Sequence, residues 1–278
     1  MKLDAYFKKQ TLKIDKALAV FLPKAKEHPV RLHEAMRYAV LCGGKRIRPI
    51  LVLAACEAAG GDEKKAMPAA CAIEFIHNYS LVHDDMPCMD NDDERRGAPT
   101  CHKKYGEDTA LLVGDALLTL AFQVLSRPNG FENPKDLKRK LQAFSLISEA
   151  SGTAGMVGGQ AVDIEFQNKE VDMATLEYIN THKSGALIAV STRVGALLGG
   201  GTALEIESLY RYGKYLGLLF QIVDDILDRE GYAKVLGAAE AKREAGLLLL
   251  KAKKALSVFG RRALILEKIA DFVMTRNR

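Results

Sequence analysis

Residues 204–228 read LEIESLYRYGKYLGLLFQIVDDILD. The stretch predicts one long helix whose last turns are apolar on nearly every side, with Leu218, Leu219, Phe220, Ile222, Val223, Ile226 and Leu227. A helix of that kind is buried by neighbouring helices. Asp224, Asp225 and Asp228 end it. Asp224 and Asp228 are four residues apart, so they lie one above the other on one face, with Gln221 a turn earlier. Two like charges about 4 Å apart repel by about 4 kcal/mol at an effective dielectric of 20. Carboxylates held against a core therefore ask for a cation. No His or Cys stands at ligand spacing beside them, so the ligation is all-oxygen and the ion is hard. Mg²⁺ fits best, because it takes a few carboxylates plus substrate phosphates.

The rest of the chain repeats the helical period. Apolar spacing predicts helices over 3–22, 30–41, 47–59, 66–85, 109–126, 135–151, 176–180, 185–198, 232–259 and 264–275. Alternating β-branched runs are missing, so no strand is expected. Asp108-Thr109 and Asn133-Pro134 read as helix starts. Gly43-Gly44, Gly60-Gly61, Gly152, Gly158-Gly159 and Gly199 to Gly201 read as turns or close approaches. No low-complexity linker divides the 278 residues, so the fold expected is all-α: one domain over 1–278, a bundle of ten or more helices. The balance of 40 Lys+Arg against 35 Asp+Glu gives only +5, without a basic block, which argues against nucleic acid. The longest apolar stretches fall short of the roughly 20 residues of a membrane span. The charged N-terminus lacks a signal-peptide core. Five Cys without a CxxC pair argue against a disulfide framework or structural zinc, and a reducing cytoplasm is expected.

A second acidic cluster, His83-Asp84-Asp85-Met86-Pro87-Cys88-Met89-Asp90-Asn91-Asp92-Asp93-Glu94-Arg95-Arg96-Gly97, also ends an apolar helix. It is not an EF-hand: counted from Asp90, the required Gly falls on Arg95 and the bidentate Glu on Cys101. It reads either as a solvated helix end or as a second metal-binding wall. Gly43-Gly44-Lys45-Arg46-Ile47-Arg48-Pro49 opens a helix, with Pro suited to the first turn. Three cations there oppose the helix dipole. Either the turn is simply solvated, or Lys45, Arg48 and free backbone N–H groups hold a diphosphate. Arg95 and Arg96 pair with the acids or with a phosphate beside them. His77 lies seven residues before Asp84 and faces the same way. Lys183-Ser184-Gly185 marks a kink that exposes carbonyl groups.

The segments GGKRIRP, SLVHDDMPCMDNDDERRGAPTCHK, GDALLTLAF, GMVGGQAVD, HKSGAL and LGLLFQIVDDILD resemble, in order and spacing, the trans-polyprenyl diphosphate synthases. The likeness is to bacterial short-chain enzymes of the farnesyl diphosphate synthase type. It runs from about Leu32 to Asp228 and returns weakly after Tyr232. It implies the isoprenoid synthase fold around a central cavity, a homodimer, and Asp motifs facing each other across the cavity mouth. It implies Mg²⁺ on Asp84 and Asp90 with Asp85 in support, and on Asp224 with Asp228 acting directly or through water. Arg95, Lys183 and Gln221 would touch an allylic diphosphate, with the Ser184 carbonyl beside them. Gly44, Lys45, Arg48, His77 and Arg96 would hold isopentenyl diphosphate. Lys183, Gln221 and Arg95 carry the catalytic roles. Tyr79 and Ser80 form the stop for the growing chain, since Tyr79 lies about 7.5 Å down the helix from Asp84 at 1.5 Å per residue. The expected product is farnesyl diphosphate, with a geranylgeranyl or other short-chain product as the alternative.

The chain departs from that pattern after Asp228. The resemblance implies a polar loop of about twenty residues with a Gly-Lys-Ser/Thr-like element, of the kind that forms mobile lids. Here Asp228-Arg229-Glu230-Gly231-Tyr232-Ala233-Lys234 runs straight into the next helix. Either the loop is deleted or a stretch is missing between 228 and 234; the mobility of such lids favours the second. Ser184 also replaces the more usual Thr. Three other readings compete. A His-Asp metal phosphohydrolase would use His83-Asp84, yet His28, His33, His77, His102 and His182 form no set with it. A terpene cyclase would carry Asn, Ser and Glu in its second motif. A non-enzymatic helical subunit would tolerate loss of the Asp motifs, and both are intact.

Overall fold

The computed structural model describes residues 2–128, 133–167 and 169–276. It is all-α, with a single two-residue hairpin among the described residues. The helices are α1 (Leu3–Phe21), α2 (Val30–Leu41), α3 (Ile47–Ala58), α4 (Glu63–Asp84), α5 (Cys101–Tyr105), α6 (Glu107–Ser126) and α7 (Pro134–Ser151). They continue as α8 (Met156–Glu165), α9 (Met173–Ile179), α10 (Ala186–Leu198), α11 (Ala203–Asp228), α12 (Gly231–Leu236), α13 (Ala238–Ala255) and α14 (Leu264–Thr275). The contacts fall into two compact units, one of residues 1–50 and 67–130, the other of 51–66 and 131–278.

In the first unit α2 packs on α1, α5 and α6. α6 buries Ala110, Val113, Leu117, Ala121 and Val124 on one face and leaves Leu111 and Leu112 exposed on the other. By length and composition this 20-residue helix could cross a membrane, although no shorter apolar run in the sequence announced it. Half of it is core, and it carries Glu107, Asp108 and Asp115. It begins at Glu107, two residues before the expected start, because Gly106 takes the N-cap position at φ 91°. The tiny β1 (Glu94–Arg95) and β2 (Ala98–Pro99) pair antiparallel within the acidic loop, where no strand was expected. Left-handed Arg96 and Gly97 make the two-residue turn between them.

In the second unit α11 is the hub, in contact with α10, α12, α13 and α14. Its N-terminus is a capping box: Thr202 accepts from Glu205 N–H while the Glu205 carboxylate accepts from Thr202 N–H. Gly213 and Gly217 sit four residues apart where α10 and the turn before it come close; an added Cβ would lie 2.3 Å from Thr192 Oγ1 and 3.0 Å from Gly185 Cα. Asn133 caps α7 as expected, accepting from Asp136 N–H with Pro134 in the first turn.

The helix expected over 232–259 is broken at Gly237, whose φ of 84° no helical residue adopts, and ends at Ala255 before a 3₁₀ stretch, Ser257–Ala263. Gly158 and Gly159, expected at a turn or a close approach, are the second: they lie inside α8, and a Cβ on Gly159 would stand 2.1 Å from Lys183 N. The kink at Lys183 is a π-helical turn, Asn180–Gly185, joining α9 to α10. The connection after Asp228 is short. Arg229 closes α11 in a left-handed conformation, Glu230 N–H bonds the Asp225 carbonyl, and α12 begins at Gly231.

Candidate active site

The first unit gathers the basic turn, the end of α4 and the acidic loop. Gly43 and Gly44 have φ of 88° and 126°, which lets the chain reverse before α3. Arg96 lies against them: its Nη1 donates to the Gly43 carbonyl at 2.6 Å, and a Cβ on Gly44 would stand 2.8 Å from the same guanidinium. Gly44 is thus the residue that leaves room for Arg96. Arg48 Nη1 lies 3.2 Å from His77 Nε2. Arginine only donates, so Nε2 accepts and the imidazole proton sits on Nδ1. Burial first, then the charges of Arg48 and Arg96, hold His77 well below the ordinary imidazole range. Arg48 Nε is buried without a partner. Lys45 is exposed.

Of the three cations expected at the start of α3, one is internal. Arg46 is buried in an ion pair with Glu74 at 2.7 Å and Asp15 at 2.9 Å. The cluster left for an anion is Lys45, Arg48 and Arg96 around a neutral His77.

That neutrality has a measurable consequence. Below about pH 6.5 the unfolded chain takes up a proton that folded His77 refuses, so acid lowers stability. His77→Gln, which still offers Arg48 an acceptor, will make denaturant midpoints at pH 7.5 and 5.5 differ less than in the wild type.

In the acidic loop Asp85 is buried and bridged by Arg95, whose Nε donates to it at 2.6 Å and whose Nη2 reaches Asp92 at 3.2 Å. Burial raises its pKa, and Arg95 offsets part of the rise. Asp85 therefore anchors Arg95. Asp84 is half-buried and Asp90 exposed, and the loop folds so that Asp90 N–H bonds the Asp84 carbonyl at 2.9 Å. Tyr79 is buried edge-on against His83, with centroids 5.8 Å apart. Burial, then the Asp84 charge, pushes its phenol up to about 12. Ser80 Oγ bonds the His77 carbonyl. His83 Nε2 meets the Leu111 carbonyl at 3.1 Å, so that nitrogen carries the proton and is not a metal ligand.

In the second unit Lys183 Nζ pairs with Asp163 at 2.6 Å, and Gln221 Nε2 donates to Ser184 Oγ at 2.9 Å. Gly213, Gly217 and Gln221 form one i, i+4, i+8 stripe of α11, and the π-helical turn, whose Gly185 comes close at Gly217, places Ser184 on Gln221. Asp224 pairs with Arg276 at 2.7 Å. Arg276 is buried, lies over the Phe220 ring and donates to the Phe220 carbonyl. Asp225 is turned away from that pair and accepts from Tyr232 N–H at the start of α12, its pKa raised chiefly by burial. Asp228 is exposed.

The sequence reading missed Asp163, Arg276 and the Arg46–Glu74 pair. Asp163 stood in a quoted motif, GMVGGQAVD, and could have been found there. Nothing in the spacing links Arg276 to Asp224.

Among the described residues no three His, Cys, Asp or Glu side chains converge as a metal site. The first unit offers instead Asp84 at the end of α4 and Asp90 in the loop after it, the second Asp224 and Asp228 at the end of α11. That donor set fits Mg²⁺, which binds through one or two carboxylates and completes its shell with water and phosphate oxygens.

The sequence profile described as polyprenyl synthetase matches residues 29–252. The chain belongs to this family. It is 44% identical to a chloroplastic geranylgeranyl pyrophosphate synthase of Capsicum annuum, over 98% of this chain and 78% of that protein. That alignment has 293 positions against 278 residues here, so at least 15 positions of the pepper protein have no counterpart. The chain is 49% identical to a chloroplastic heterodimeric geranylgeranyl pyrophosphate synthase large subunit 1 of Arabidopsis thaliana, covering 82% of this chain but only 62% of that protein. An apo FPP/GFPP synthase structure from Zymomonas mobilis superposes with a TM-score of 0.93 at 40% identity, over 98% of this chain and 99% of that one. The protein is accordingly a trans-prenyltransferase of the short-chain polyprenyl synthase type, with the isoprenoid synthase fold.

Proposed function

We propose that this prenyltransferase condenses isopentenyl diphosphate with dimethylallyl or geranyl diphosphate to give farnesyl diphosphate. The observation that carries the reading is the first unit's cation cluster beside a carboxylate pair. Arg48 is left with a buried, unpartnered Nε, and Arg96 bonds a neutral carbonyl. Such a cluster is stable once an anion joins it. Lys45, Arg48, Arg96 and His77, with Gly44 giving room, would hold the diphosphate of isopentenyl diphosphate.

Asp84 and Asp90 in the first unit, and Asp224 and Asp228 in the second, would each hold Mg²⁺, which when bound supplies Lewis-acid neutralisation of a departing diphosphate. Arg95 keeps Nη1 for a phosphate oxygen while Asp85 and Asp92 hold its other nitrogens. Lys183, oriented by Asp163, would be the second unit's cation for a departing diphosphate. The allylic carbon–oxygen bond breaks, the alkene of isopentenyl diphosphate adds to the allylic cation, and a proton passes to the released diphosphate. The Ser184 carbonyl and the Gln221 side-chain oxygen stabilise the cation locally, and apolar walls keep water from it. We place the positions missing relative to the pepper protein between 228 and 234. The family resemblance supports a homodimer, and Leu111 and Leu112 give α6 an exposed apolar face for it.

The test is incubation of the pure protein with isopentenyl and geranyl diphosphates, with Mg²⁺ and with EDTA. A metal-dependent farnesyl product supports the reading. Release of inorganic phosphate alone favours a hydrolase, and neither turnover nor binding favours a scaffold. Product length rests on Tyr79, whose buried ring lies below Asp84. Tyr79→Ala will shift the product to longer prenyl chains on reversed-phase analysis; unchanged length would remove Tyr79 from the floor.

A further inference from the structure

Arg46 belongs to the basic turn but reaches no ligand position. Its side chain is 1% exposed. Its Nε donates to Asp15, Nη1 to Glu74 and Nη2 to the Val40 carbonyl, at 2.9, 2.7 and 2.7 Å. Its own backbone is left-handed, at φ 51°. A residue with a Cβ stays in that conformation only where its surroundings fix it. Here three hydrogen bonds from one rigid guanidinium do so. Glu74 is 2% exposed and stands on α4 one turn before His77. Asn78 donates to the Glu74 carbonyl at 2.8 Å. Burial disfavours the charged forms of Arg48 and Arg96, as do the Arg96 charge on Arg48 and the Arg46 and Arg95 charges on Arg96; the negative charge of Glu74 favours both.

We propose that Arg46 and Glu74 are positioning residues for the diphosphate of isopentenyl diphosphate; the proposal rests on the reading of the basic turn given above. Arg46 locks the turn so that Lys45 points to solvent, Arg48 reaches His77 and the Gly43 carbonyl meets Arg96. Glu74 offsets the repulsion that gathering these cations creates. Neither residue touches the substrate. Both fix the shape of the site before the anion arrives, which is where binding free energy is otherwise lost to ordering.

Removing one partner alone would leave a buried charge, so the decisive variant replaces both. A buried ion pair exchanged for apolar residues of similar volume usually leaves stability near its starting value. Arg46→Met/Glu74→Leu should therefore fold, as judged by circular dichroism and Tm. Its KM for isopentenyl diphosphate should rise about ten- to a hundredfold through misplacement of the turn, with KM for geranyl diphosphate unchanged. Arg46→Lys, which keeps the charge and loses the fork, should show the same split to a smaller degree. Calorimetric titration with inorganic pyrophosphate gives a second readout, and the double variant should bind it more weakly. A folded double variant with the wild-type KM for isopentenyl diphosphate would reduce the pair to core packing and overturn the proposal. If the double variant does not fold, Arg46→Lys decides alone, by the same comparison of the two KM values. A wild type that shows no saturable use of isopentenyl diphosphate would instead overturn the underlying function, so the two failures are distinct.

Discussion

Asp84→Asn will lower turnover about 100- to 1,000-fold, the loss that follows removal of one fixed electrostatic group from a reacting centre, with only a small change in Tm. Two opposed effects act on stability there. Asp84 is the last residue of α4, the negative end of the helix dipole, where a carboxylate is unfavourable by about 0.3–1 kcal/mol at exposed sites, while its charge favours the Arg95 guanidinium. Asn keeps the shape and removes both. It also removes a charge that raises the Tyr79 phenol, so spectrophotometric titration of Tyr79 will move down from about 12. Asp228, exposed at the same end of α11, should behave alike. Asp85→Asn will not, because Asp85 is buried against Arg95, and the variant will lower Tm. Asp224→Asn will also destabilise, since it leaves buried Arg276 without its partner. Full turnover in Asp84→Asn would remove this acid from the chemistry.

How far the sequence disclosed this arrangement depends on whether a role is written in spacing or in contact. α11 could be read almost residue for residue because its 26 residues combine helical period, apolar flanks and a Thr-x-x-Glu cap. The roles proposed for Asp84 and Asp90, for Asp224 and Asp228, and for Arg95 and Lys183 come with local motifs. In α8 two adjacent glycines signal a turn or a close approach, and a neighbouring backbone needs the space. Gly237 within the expected 232–259 helix was misread: a lone glycine passed for helix while its φ of 84° broke it. Arg276 and Glu74 could not be assigned at all. Each acts through one long-range ion pair, and a pair 52 or 28 residues apart leaves no period in the sequence.

The close approach at Gly159 falls on the backbone of Lys183, and substitution there will have the second large effect. A Cβ there would lie 2.1 Å from Lys183 N, 2.7 Å from Lys183 Cα and 2.8 Å from the His182 carbonyl carbon. These are backbone atoms of the π-helical turn, so the methyl cannot be accommodated by a rotamer change, and α8 and the turn must separate. Asp163 lies four residues further on the same face of α8 and holds Lys183. The wedge therefore acts beside the ion pair that orients this lysine, and beside Ser184, which Gln221 holds. A displacement near 1 Å at such a group costs about 100-fold in rate. Overpacking costs about 1–3 kcal/mol, of which the helix preference of Ala over Gly returns up to about 1 kcal/mol. Gly159→Ala should thus remain folded, with a modestly lower Tm, while kcat falls about 100-fold. Gly246→Ala is the control: it lies in α13 with nothing within 4 Å of its added Cβ, and should raise stability slightly without changing turnover. If Gly159→Ala turns over at the wild-type rate, then the contact between α8 and the π-helical turn does not set the position of Lys183, and its pairing with Asp163 has no part in the reaction.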